Sequence, residues 1–80
     1  MGDDVKVDVC KLIGVPFETP DDFNYRKAGK VDSLGVIRIV LTLEQRYQIK
    51  ISDEDIVADG FCTIGGIVQT VLDKGPKIVF

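Results

Sequence analysis

Apolar residues recur along most of this chain at helical spacing. Val5, Val9, Leu12 and Ile13 fall at i, i+4, i+7 and i+8, one stripe of a helix predicted over about 3–13. Asp3 and Asp4 stand where carboxylates suit the N-terminal dipole, and Gly14 followed by Pro16 stops the element. Residues 14–31 carry Pro16, Pro20, Gly29 and scattered charge and read as a long loop. Compact domains tie such loops down or use them for function, and Val15, Phe17, Phe23 and Tyr25 are the apolar residues available for the tying. A second helix is predicted from Ser33 or Leu34 to Tyr47, then a short extended linker over 48–51. Ser52 followed by Asp55 has the form of a capping box with Asp in place of Glu or Gln, opening one short helical turn that ends near Gly60. Thr63 caps a last helix on which Ile64, Ile67, Val68 and Val71 form one stripe, weakened in its first turn by Gly65 and Gly66 and ended by Gly75-Pro76. The expectation is an all-α fold, a small four-helix bundle of three main helices and one short one. It forms a single domain over 1–80, with a helical core at about 3–74 and a C-terminal tail at 75–80.

The second helix carries more apolar surface than a core requires. At about 100° per residue, Val36, Ile39, Val40, Leu43 and Tyr47 gather on one side and Gly35, Arg38, Thr42, Gln45 and Arg46 on another. Leu34, Ile37 and Leu41 make a second stripe, with Glu44 beside it. A buried Glu without a partner is costly, so this stripe is expected to face water together with Glu44. It either packs under the long loop or offers a partner surface. The core is expected from Val5, Val9, Leu12, Ile39, Val40, Leu43, Tyr47, Ile64, Ile67, Val68 and Val71.

Composition narrows the chemistry. There is no His, so the commonest general base at neutral pH is missing, and with it any Ser or Cys nucleophile that relies on one. A chain of 80 residues buries only roughly 60% of its unfolded surface, a thin core for a deep active site. Ten Lys+Arg against thirteen Asp+Glu leave a net charge of −3, without the basic footprint of a nucleic-acid binder. The apolar runs fall short of a membrane span, and the acidic start Met-Gly-Asp-Asp-Val lacks the positive charge of a targeting peptide, so the expected setting is cytoplasmic.

Among single residues, Asp32-Ser33-Leu34 stands at the loop–helix junction. It reads either as a plain N-cap or as a serine hydroxyl presented where free backbone amides suit a phosphate; Asp32 as cap with Ser33 just inside satisfies both. The acids from Asp53 to Asp59 do not make a calcium loop, because Val57 and Ala58 occupy the third-ligand and glycine places, and no metal site is expected. Cys10 reads as a small core residue, and Cys62, ahead of the Thr63 cap, has nothing basic nearby in sequence to activate it. Arg26, Lys27 and Lys30 form a basic loop, either simply solvated or meeting an acidic partner or phosphate.

The run Gly29-Lys30-Val31-Asp32-Ser33-Leu34-Gly35, the apolar helix ending in Tyr47, the Ile49-Lys50-Ile51 linker, the acids from Ser52 to Asp55 and Phe61-Cys62-Thr63-Ile64 together resemble the acyl and peptidyl carrier protein family over about residues 5–73. The resemblance implies a 4′-phosphopantetheine arm on Ser33, attached by a phosphopantetheinyl transferase. The arm holds an acyl or aminoacyl group as a thioester. It further implies a monomeric carrier without catalytic residues of its own. Its partners would be an acyl- or aminoacyl-loading ligase and downstream transferases or synthases, meeting it at Asp32, Leu34, Ile37, Leu41 and Glu44. Fatty-acid-synthesis carriers have a second helix rich in acids, whereas this one has Arg38 and Arg46 and only Glu44 as an acid. Gly35 and the long stretch from Ser52 to Thr63 are similar to D-alanyl carrier proteins. The implied setting is fatty-acid, polyketide-like, nonribosomal or aminoacyl-transfer biosynthesis, and these departures point within it to a specialised aminoacyl or polyketide-like pathway. The alternative is an unmodified helical interaction domain that docks a partner helix on Leu34, Ile37 and Leu41.

Overall fold

The structure is a computed structural model that describes residues 2–57 and 59–75. Among these residues four helices run in order, α1 over Gly2–Ile13, α2 over Ser33–Tyr47, α3 over Asp53–Val57 and α4 over Ile64–Asp73, with a 3₁₀ turn at Asp59–Cys62. There is no strand among the described residues, only an isolated antiparallel bridge between Asn24 and Thr63. The all-α bundle expected from periodicity is the observed fold. The short helix ends earlier than expected, at Val57, and the 3₁₀ turn takes over the approach to Thr63. The expected tail beyond Gly75, and Ala58 in the rejected calcium pattern, lie outside the described residues.

The first and last helices meet most extensively, so the α1 stripe of Val5, Val9 and Ile13 packs with Ile64, Ile67 and Val71 of α4 in one cluster. Val36, Ile39, Val40, Leu43 and Tyr47 complete it from α2, the arc the wheel selected. Cys10 is buried there as expected, and burial pushes its thiol pKa up. Leu12 is a correction. At 37% exposure it lies off the core, because Val5, Val9 and Ile13 at strict i, i+4, i+8 spacing, with Cys10, already fill the face turned to α4. Val68 is half-buried and packs against the cluster from its edge. The non-helical segments contribute the rest. Tyr25 and Phe61 are among the largest fully buried side chains, and Ile49 and Ile51 of the linker point into the same core.

The long loop is strapped to the start of α4. A helix leaves its first four amides without intrahelical partners. Here the Ile64 amide donates to the Phe23 carbonyl at 3.3 Å, the Gly65 amide to the Asp21 carbonyl at 2.8 Å, and the Gly66 amide to Thr63 Oγ1 at 3.0 Å. The two glycines that weaken α4 by propensity permit this. A Cβ on Gly66 would lie 1.3 Å from the Gly60 carbonyl oxygen, and one on Gly65 would lie 3.0 Å from Asp21 Cβ. Tyr25 donates its buried hydroxyl to the Phe61 carbonyl, and Asn24 Nδ2 donates to Cys62 Sγ at 3.3 Å, so loop and 3₁₀ turn hold each other. Of the residues expected to tie the loop, Tyr25 is buried and Val15 and Phe23 pack against the core. Phe17 does not, being 42% exposed with the Lys6 ammonium 5.0 Å from its ring centre.

Candidate functional site

The site grows from the way α2 begins. Asp32 is extended at φ −91° and ψ −176°, and its carboxylate accepts the Gly35 amide at 2.7 Å, while its own carbonyl accepts the Val36 amide at 3.0 Å. The cap is thus supplied by the residue before the helix, and Ser33, the first helical residue, is exposed and spared that task. Immediately ahead of it the loop closes onto α2. Val31 occupies the space a side chain at residue 35 would need, since a Cβ there would meet Val31 Cγ1 at 2.5 Å. A hydroxyl raised into solvent beside the opening amides of a fifteen-residue helix, with Lys30 in the preceding loop, fits a phosphodiester.

Below Ser33 the extra apolar stripe is open. Leu34, Ile37 and Leu41 are 67%, 50% and 58% exposed, so the loop does not cover them. Val57 of α3 is exposed as well. Glu44 corrects the expectation that it stands free in water on this stripe. It is half-buried, and its Oε2 accepts the Ile51 amide at 2.8 Å, satisfying the linker backbone where the chain leaves α2. The helix end itself is closed by Gln48 in the left-handed conformation, with its amide on the Glu44 carbonyl. Arg38 is exposed on the polar arc, whereas Arg46 is drawn to Asp8 of α1 at 2.7 Å. The same carboxylate accepts the Tyr47 hydroxyl, and burial followed by that bond pushes the Tyr47 pKa up to about 12.

On the far side, α3 is pinned through Asp55. Its Oδ2 accepts the Ser52 amide at 3.0 Å and the Ser52 hydroxyl at 2.9 Å, and it pairs with Lys74 Nζ at 2.6 Å. Ser52 Oγ in turn accepts the Asp55 amide at 3.2 Å, completing the capping box expected from the sequence. Lys74 first, then Ser52, hold the Asp55 carboxyl down at about 2. No cluster of three or more potential metal ligands occurs among the described residues. Nor is any described helix long and apolar enough to cross a membrane.

The family model for the phosphopantetheine attachment site matches residues 3–71. The chain belongs to this family of phosphopantetheine-bearing carrier proteins. It is 31% identical over 70 residues to the acyl carrier protein of Wolinella succinogenes, covering 86% of this chain and 90% of that one. With the acyl carrier protein of Chlamydia trachomatis serovar D the identity is 27% over 73 residues, 90% and 92% of the two chains. With that of Clostridium perfringens strain 13 it is 35% over 46 residues, 58% of each. The carrier bears covalently attached 4′-phosphopantetheine and holds acyl groups on it as thioesters. As a member of this family it is a carrier and not an enzyme, served by a phosphopantetheinyl transferase and by synthase-type enzymes. The unmodified interaction domain is thereby set aside.

Proposed function

We propose that Ser33 is the residue that bears the arm, and that residues 1–80 form a single, monomeric, cytoplasmic carrier domain. One observation carries the assignment. Ser33 is exposed as the first residue of α2 while the neighbouring Asp32 does the capping, so a substituent on the hydroxyl costs the helix nothing. The arm supplies a thiol that forms the thioester. The protein supplies the anchor, the amides of the helix start and a surface by which partners recognise it. Asp32, Leu34, Ile37 and Leu41 form that surface, and Glu44, engaged with Ile51, lends it no free acid. With Arg38 exposed, α2 lacks the acidic rim of fatty-acid-synthesis carriers. Its partners are therefore ligases and transferases of a specialised aminoacyl or polyketide-like pathway that dock by apolar contact. Incubation with coenzyme A and a broad-specificity phosphopantetheinyl transferase, followed by intact mass, tests the assignment. The wild-type protein is expected to gain one phosphopantetheinyl mass, and Ser33→Ala none while remaining folded. Modification that persists in the Ala variant overturns it.

A further inference from the structure

Leu41, on the exposed stripe of α2, lines two hollows. One, a groove of about 730 Å³, opens between the end of the long loop and α2, with Lys30, Asp32 and Arg38 in its walls and Leu12 of α1 beside them. The other, of about 470 Å³, lies where α2 gives way to the linker, with Glu44, Gln45 and Lys50 in its walls. Joined at Leu41, they make a strip along α2 from Gly35 to Gln45, roughly 15 Å of helix. Its charges are unequally committed. Lys30, Arg38 and Lys50 are exposed, and none of them pairs with a carboxylate among the described residues. The acids of the same linings, Asp32 and Glu44, each turn an oxygen onto a backbone amide, that of Gly35 at 2.7 Å and that of Ile51 at 2.8 Å. A chain whose net charge is −3 thus sets three cations without internal counter-ions around an exposed leucine. Leu12, left outside the core, adds a second apolar contact in the larger hollow.

Resting on the reading of Leu34, Ile37 and Leu41 as the docking surface, we propose that this strip receives an acidic amphipathic helix of a partner protein. Its aliphatic side chains cover Leu41 and Leu12, and its carboxylates face Lys30, Arg38 and Lys50. The charge complementarity decides the occupant. A strip of this length takes about three turns of helix, whose apolar anchors recur every three or four residues. Carboxylates beside those anchors meet cations that nothing else in the described fold neutralises. A helix with Lys or Arg in those places is turned away, because like charges brought face to face are costly. The strip thereby selects partners by the sign of their charge as well as by apolar contact.

The probes are two synthetic helical peptides with Leu at i, i+4 and i+7, one flanked by Glu and its twin by Lys, titrated into the labelled carrier and followed by nuclear magnetic resonance. Net charge alone would draw the Lys twin to a carrier of charge −3, so a preference for the Glu peptide reports the strip itself. At low salt the Glu peptide is expected to shift the amides of Lys30, Arg38, Leu41 and Lys50 and to bind at least about tenfold more tightly than its twin. In Lys30→Glu/Arg38→Glu/Lys50→Glu, with folding checked by thermal melting, the order is expected to reverse. Leu41→Ser, which leaves the charges alone, is expected to weaken the binding of the Glu peptide. Equal affinities, tighter binding of the Lys twin to wild type, or an order that survives the triple reversal overturns the proposal. If Leu41→Ser still weakens both peptides in that case, the apolar docking surface stands without its charge selectivity. Binding indifferent to Leu41→Ser, or no binding of either peptide, removes the proposal as well, and the loading rate of Ile37→Asp then decides separately whether the stripe docks partners at all.

Discussion

Replacing Gly66 by Ala puts two effects of opposite sign in competition. In a solvent-exposed helix the change is stabilising by about 0.5–1 kcal/mol, since Ala has the higher propensity. In this fold the added Cβ would lie 1.3 Å from the Gly60 carbonyl oxygen and 2.3 Å from its carbon. Ordinary contact is about 3.5–4.0 Å, so the 3₁₀ turn and the first turn of α4 must part by about 2 Å. That movement draws Thr63 Oγ1 from the Gly66 amide, now at 3.0 Å, a cap worth about 0.5–2 kcal/mol. It also shifts Phe61, which is 1% exposed, and its carbonyl from the Tyr25 hydroxyl, leaving a buried acceptor at a cost of about 1–3 kcal/mol. The net expectation is a destabilisation of about 2–4 kcal/mol, a large share of what a domain of this size holds. Urea unfolding followed by circular dichroism reads it directly, and a melting temperature lower by at least ~10 °C should accompany it. Gly65→Ala is the matched control. Its Cβ meets Asp21 Cβ at 3.0 Å and the Asp21 carbonyl oxygen at 3.1 Å, Asp21 itself is exposed, and the shift required is a few tenths of an ångström. A Gly66→Ala protein as stable as wild type, or more so, refutes the close approach of the 3₁₀ turn to α4.

Ile37→Asp on the half-exposed stripe should leave the melting curve within about 0.5 kcal/mol of wild type while lowering the rate of loading by a cognate partner; loss of folding would place the stripe in the core. Truncation of Leu43, which has no exposed surface, to Ala should cost roughly 2–5 kcal/mol in a denaturant titration. Burial, and for Tyr47 the Asp8 bond, raises both tyrosines from 10 to about 12. The fold therefore favours the neutral phenols. That contribution is whole below pH 10 and is lost as the pH climbs through about 12, and tyrosinate absorbance is expected to appear together with unfolding rather than before it. Asp55 works in the opposite direction. Its carboxyl is held at about 2 against an ordinary 3.8, so its contribution is complete above about pH 4 and fades as the pH falls toward 2. Lys74→Gln should shrink the fall in melting temperature across that window.

Helical segments were legible because their cores follow a period. α2 spans Ser33–Tyr47, with Val36, Ile39, Val40, Leu43 and Tyr47 buried and Asp32 as its cap, as spacing alone predicts. Thr63 and the Ser52–Asp55 box were legible for the same kind of reason: their partners lie within three residues. What escaped was whatever depends on distant neighbours. Tyr25 and Phe61 lie in segments with no period to betray burial, and their pairing spans the loop and the 3₁₀ turn. Leu12 fits the α1 stripe on a wheel, but the width of the contact with α4 decides which of the edge positions is covered. Glu44 is half-buried because it meets a backbone amide seven residues on, a partner no helical repeat encodes. At the site, the exposure of Leu34, Ile37 and Leu41 followed from a full core stripe, whereas the groove beside Lys30 and Arg38 exists only once loop and helix are brought together.

The union of α1 with α4 has a consequence for how the molecule comes into being. A ribosome delivers the apolar face of Val5, Val9 and Ile13 first and its mates Ile64, Ile67 and Val71 last. At some 5–20 residues per second, the nascent chain spends seconds with that face uncovered. Until then α1 has little to hold it, because a lone twelve-residue helix is marginal in water. The loop leading to Ser33 is likewise anchored by amides of Ile64 and Gly65 that are made late in synthesis. With Ser33 as the proposed attachment point, a modifying enzyme that requires the folded start of α2 would meet its substrate only once α4 has been made.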